Sequence, residues 1–117
     1  MAYMLLIVEP VGERRARTEA ELRERYEDMV RFSADLKVRG LLTMSQALKT
    51  DEKGARVQAR GHERTVVDGP FAEAKEMIGG FFLLTCETRE QAIDIAADCP
   101  AVQWSTVEVR ELGPCFE

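Results

Sequence analysis

Two stretches of this chain are apolar at consecutive positions rather than at alternate ones. They are AYMLLIV, residues 2–8, and the run over residues 78–86 that ends in GGFFLLTC. A strand that is apolar on both sides belongs in the middle of a sheet, with both faces covered. The first run is too short to cross a bilayer as a helix. The first has no basic lead and no cleavage site, and Glu9 and Pro10 follow it at once, so it reads as a strand and not as a targeting segment.

The other elements follow from local chemistry. Thr18 with Glu21 three residues on has the spacing of a capping box, and predicts a helix running to about Arg39 and stopping at Gly40. Leu22, Tyr26, Met29, Phe32 and Leu36 fall on one arc of that helix. Ser33 lies within this stripe and is small enough to let the helix come close to a sheet. LLTMSQAL (41–48) alternates, with Leu42, Met44 and Leu48 expected on one face and Thr43, Ser45 and Ala47 on the other. ARVQAR and RTVVD flank GHE as a short hairpin. Thr88 and Gln91 repeat the capping spacing for a second helix, with Ala92, Ile95, Ala96 and Cys99 inward and Pro100 as its stop. WSTVEVREL alternates again, Val107 and Val109 against Thr106, Glu108 and Arg110.

Leaving the hairpin aside, the order is βαββαβ. With right-handed crossovers this predicts a ferredoxin-like α+β sandwich with an inserted hairpin, one domain over residues 1–117. The first and third core strands of such a sheet are central, and these are the two runs that are apolar on both faces. Helices cover only one face, so the other should be covered by a second copy packed sheet to sheet as a two-fold homodimer.

The chain carries 16 basic and 21 acidic residues, a net charge of −5. An acidic domain lacks the positive field that nucleic acid or an anionic membrane surface needs, so neither is expected as a partner. ERRAR (13–17), the densest basic cluster, reads as a solvated loop. Cys86, Cys99 and Cys115 fit no disulfide framework and no zinc spacing. Three free thiols and a cytoplasmic setting are expected.

The stretch with most chemistry is VVDGPFAEAKEMIGGFF (66–82). Asp68 supports two readings. Asp-Gly-Pro is turn chemistry, and Asp68 or Gly69 could cap a short helical turn through PFAEAKE. Alternatively, Asp68 is a catalytic base or ligand anchor at the mouth of a sheet cleft. There Phe71, Phe81 and Phe82 would supply apolar walls and Arg110 a polar strand residue. Lys75 could hold a small anionic ligand, while Glu73 and Glu76 read as a solvated face. Gly79 and Gly80 allow a bulge, or close backbone approach to a ligand or to the partner chain. His62, the single histidine, is six residues from Asp68, about 20 Å along an extended strand. It reads as a turn residue. No G-x-S-x-G, P-loop, dinucleotide fingerprint or metal-ligand spacing is present, so no metal and no cofactor are expected.

MAYMLLIV, TVVDGPFAEAKEMIGGFFLL and ADCPAVQWSTVEVREL together resemble the DGPF-domain proteins of the YCII-related family. The resemblance implies a dimeric α-β barrel and a small bacterial protein, with a cleft as the candidate site of an unsettled activity. It also implies a genetic neighbourhood of extracytoplasmic-function sigma factors, hence a sigma factor as an alternative partner. Some shorter members carry a His-Asp pair with the histidine in the first helix. The corresponding segment here, EAELRERYEDMVRF, contains none. Three functions therefore stay open: a cofactor-free enzyme or small-molecule binder using Asp68, a regulatory interaction module, or a dimer with no chemistry at Asp68.

Overall fold

The computed structural model describes residues 2–116. Strand β1 spans Tyr3–Pro10, helix α1 Glu19–Val38, and β2 Leu42–Ala47. Strands β3 (Ala55–Arg60) and β4 (Glu63–Asp68) follow, then β5 (Glu76–Leu84), α2 (Arg89–Asp98) and β6 (Thr106–Glu111). The sheet order is β2-β5-β1-β6, all antiparallel, with β3 and β4 forming a separate two-stranded sheet. The two both-face-apolar runs are the two central strands, and the arrangement is an α+β fold consistent with a ferredoxin-like sandwich. Among the described residues no helix is long and apolar enough to cross a membrane.

Alternation along β1 sorts the two faces. Tyr3, Leu5, Ile7 and Glu9 are buried under the helices, while Met4, Leu6 and Val8 on the opposite face are only half-buried. Strand β5 repeats the pattern: Phe82 and Leu84 pair with Leu5 and Tyr3 on the helix side, and Phe81 and Leu83 lie on the open side. The core is closed by Leu36 of α1 and by Ala92, Ile95 and Cys99, the inner face expected for α2 and its end.

Both helices start as their caps predict. Thr18 accepts from the Glu21 backbone N–H while the Glu21 carboxylate accepts from the Thr18 N–H. At α2, Thr88 accepts from Gln91, but the Gln91 side chain reaches one residue further back, to the Glu87 N–H. Gly40, at φ +71°, takes the chain out of α1.

Three expectations need correction. Tyr26 is 61% exposed, because the first half of α1 stands off the sheet instead of packing on it. The faces expected for β2 do not alternate as written: a bulge between Leu42 and Met44 places Leu42 opposite Leu84 on the helix side and Met44 opposite Leu83 on the open side. One extra residue reverses every side chain after it. PFAEAKE forms no helix, only a turn closed by the Ala74 N–H on the Phe71 carbonyl.

The hairpin projects from this body. Every residue of β3 and β4 is exposed, His62 lies in its turn, and Val57 and Val66 face each other across the strands. The radius of gyration is 16.0 Å, against roughly 13 Å for a compact chain of this length.

Candidate functional site

Between the raised half of α1 and the sheet lies a cleft of about 670 Å³. Leu22 and Met29 form its helix wall, Ile7 and Phe82 its base, and Trp104 one end. Its lining is mostly apolar, with a few polar groups set among the apolar ones, as small-molecule sites commonly are. Ser33 of α1 and Ser45 of β2 meet across it, their hydroxyl oxygens 2.9 Å apart. Arg25 stacks over the Trp104 ring at 4.9 Å and pairs with Glu13 at 3.1 Å.

At the other end is an ion pair whose acid is buried and whose arginine is half-buried. Glu9 is 5% exposed. Arg14 Nε donates to Glu9 Oε1 at 2.7 Å and Nη2 donates to Oε2 at 3.3 Å. The same guanidinium donates to the Gly79 carbonyl at 3.1 Å and to the Leu48 carbonyl at 2.6 Å, so it ties the loop before α1 to β5 and to the end of β2. A buried carboxylate needs such a partner, because desolvating an unpaired charge costs several kcal/mol. The loop that delivers Arg14 is a series of turns over residues 11–17, closed by the Glu13, Ala16 and Arg17 N–H groups on the carbonyls of Pro10, Gly12 and Arg14.

This arrangement explains Gly79. A Cβ there would run into the Glu9 carboxylate and come 2.8 Å from Arg14 Nη2. At Gly80 a Cβ would lie 2.9 Å from the Gln46 carbonyl oxygen of the neighbouring strand. The glycine pair thus gives the cleft a floor of bare backbone. ERRAR is solvated at Arg15 and Arg17 but not at Arg14, which is drawn inward by Glu9. The signal was in the sequence: Glu9 has the parity of Tyr3, Leu5 and Ile7, and an acid on the buried face of a strand calls for a cation.

The residues singled out in the sequence are divided by the sheet. Gly79 and Gly80 floor the helix-side cleft. Phe71 and Arg110 meet on the opposite side, around a second cavity of about 570 Å³ that also borders Leu6, Val8 and Arg56. Arg56 lies 4.0 Å over the Phe71 ring, and Arg110 pairs with Glu108 at 3.1 Å. Asp68 ends β4 opposite Ala55, exposed, and Lys75 is exposed in the loop before β5; neither lines these two cavities. The acid that organises the Gly-Pro turn is Asp51: Oδ2 accepts from the Phe71 N–H at 3.3 Å, and its carbonyl oxygen occupies the space a Cβ on Gly69 would need. The Gly69–Pro70 peptide is cis.

Burial raises the Cys86 and Cys99 thiols, while Cys115 is exposed; all three are free. Hydrogen bonds from Arg17 and Arg25 hold the Glu13 carboxyl below the usual range. Among the described residues no group of three His, Cys, Asp or Glu side chains converges as a metal site would require.

Comparison with known proteins gives two findings. A family model, the YCII-related domain, matches residues 1–115. A segment of 53 residues is 46% identical to an uncharacterized protein, R00369, of Rhizobium meliloti (strain 1021). The match covers 44% of this chain and 43% of that relative's length.

Proposed function

The chain belongs to the YCII-related family, and from that premise we propose that it is a homodimeric small-molecule-binding protein whose ligand occupies the cleft under α1. The observation that carries this reading is the cleft itself. A volume of about 670 Å³ lies within the usual range for ligand sites, and its floor joins two side-chain-free residues to a buried carboxylate held by Arg14. A surface groove has no need to bury a carboxylate.

The dimer forms by packing the open face of the sheet on that of a second copy. Met4, Leu6, Phe81 and Leu83 provide the apolar contact, and the hairpins flank it. An isolated two-stranded hairpin is at best marginally stable in water, which supports a partner against Val57 and Val66. Asp68 enters through this assembly: at the base of the hairpin beside Phe71, its carboxylate would border the cleft between the copies and act there as base or anchor. Lys75 would carry an anionic group at the same mouth.

Sedimentation at micromolar concentration tests the assembly, with a stable dimer burying roughly 2,000 Å² expected. A monomer with its open face still apolar would favour the alternative, an interaction module for another protein such as a sigma factor. Asp68→Asn tests the second site. It should keep the melting temperature and abolish binding or turnover if the carboxylate acts, because an amide cannot take up a proton.

A further inference from the structure

The charges around the α1 cleft are already matched. Three acids line it, and each is paired with a lining arginine: Glu9 with Arg14, Glu13 with Arg25, and Glu19 with Arg23. Lys37, the remaining lining cation, is exposed on the last turn of α1. A charged ligand seated at the base would lose water without gaining a free counter-ion, at a cost of several kcal/mol.

The unused hydrogen-bonding capacity is of two kinds. Arg14 has five N–H groups and spends four of them on Glu9, Gly79 and Leu48. The Glu9 carboxylate accepts two bonds from Arg14, although a carboxylate can accept about four. Glu9 therefore offers acceptor capacity at the base of the cleft. The Ser33–Ser45 pair uses one hydroxyl proton between them and leaves the other for a ligand oxygen. Around these polar points the lining is apolar: Leu22, Met29, Ile7, Phe82 and Trp104.

We infer that the cleft takes an uncharged, largely apolar molecule bearing a hydroxyl or amide N–H, which donates to Glu9 while a ligand oxygen accepts from the Ser33–Ser45 pair. This inference rests on the reading of the cleft as the ligand site. Charged small molecules, including carboxylates and amines of the same shape, are excluded by the absence of a free counter-ion at the base.

Trp104 is the single tryptophan of the chain and stands in the cleft wall, so its emission reports occupancy. The full-length protein is titrated with four rigid probes that do not absorb where Trp104 does: 1-adamantanol, 1-methoxyadamantane, 1-adamantanecarboxylate and 1-adamantylammonium. The alcohol should shift the emission and bind about tenfold more tightly than each of the others, the worth of one hydrogen bond to a charged acceptor. Ser45→Ala should weaken the alcohol several-fold while the Trp104 shift persists. If the carboxylate or the ammonium binds most tightly, the ligand class is overturned and the cleft stands as a binding site. Equal binding of alcohol and ether overturns the donation to Glu9. Four probes that all leave Trp104 unmoved overturn both the inference and the binding reading beneath it.

Discussion

On the helix side of the sheet Leu5, Phe82 and Leu84 are sealed from water; on the other side, one residue along in each strand, Leu6, Phe81 and Leu83 keep part of their surface exposed. The two sets share strands, hydrogen-bond ladders and chemistry. What differs is what lies above them. Leu36, Ile95 and Cys99 descend on the first set, while of the second Leu6 borders the cavity beside Phe71 and, among the described residues, no helix packs on that face. Side chains of one type, in one sheet, thus belong to two energetic classes. One set is completed by folding, and the other keeps part of its surface in water.

That distinction predicts its own largest test. Leu5 is fully buried, so Leu5→Ala should cost about 2–5 kcal/mol of folding stability, measured by urea denaturation and the same at every protein concentration. If the open face is the proposed dimer contact, Leu6→Ala should instead move the midpoint more at low concentration than at high, because association would then be linked to folding by mass action. If both variants lose the same free energy independently of concentration, the two faces are one class and the interface reading fails.

A second test sits at the end of the helix face, where packing meets charge. Gly79→Ala must displace Glu9 or Arg14, and should cost about 1–3 kcal/mol as an overpacked site. It should also lower the affinity of any cleft ligand, since the carboxylate and the floor move together. A variant with unchanged stability and unchanged binding would show that the ion pair relocates freely and does not shape the cleft.

On the open side the comparison is between two acids. Asp51→Ala removes the acceptor for the Phe71 N–H and should cost about 1 kcal/mol. Asp68→Ala, at an exposed strand end, should stay within about 0.5 kcal/mol of wild type in thermal or urea melts. Equal losses would return Asp68 to a structural role in the turn.

Much of this fold could be read from the chain. Consecutive apolar residues marked the central strands, Thr18 and Thr88 marked both helix starts, and parity sorted Val107 and Val109 from their neighbours. The failures were places where one residue's role depends on a distant one. The β2 bulge turns on how Leu42 and Met44 meet β5, which no local pattern encodes. Tyr26 has the periodicity of a core residue, yet the helix stands away from the sheet there. The Asp-Gly-Pro motif drew attention to Asp68, whereas the turn is organised by Asp51, seventeen positions earlier. Glu9 and Arg14 were visible as letters but not as a pair, because the loop that joins them is irregular.

The smallest effect concerns acid, and it should fall on the helix side. Glu21 is held below the usual carboxyl range, first by the Thr18 backbone N–H that donates to it, and Glu13 by Arg17 and Arg25. A carboxyl whose folded value is depressed adds stability that is full above the ordinary glutamate range. That stability is lost as pH falls through the lower folded value, since the unfolded chain takes up the proton first. Glu21 lies in the first turn of α1, and Glu13, just before it, lines the cleft. Melting temperature should therefore decline below about pH 4, and Glu21→Gln should be less stable than wild type near neutrality, with the two curves converging in acid. Helical circular dichroism and Trp104 emission should both follow this loss, because Glu21 caps α1 and Glu13 pairs with Arg25, which stacks on Trp104. Parallel curves for Glu21→Gln and wild type from pH 7 to pH 3 would show that the capping carboxylate contributes no linked stability.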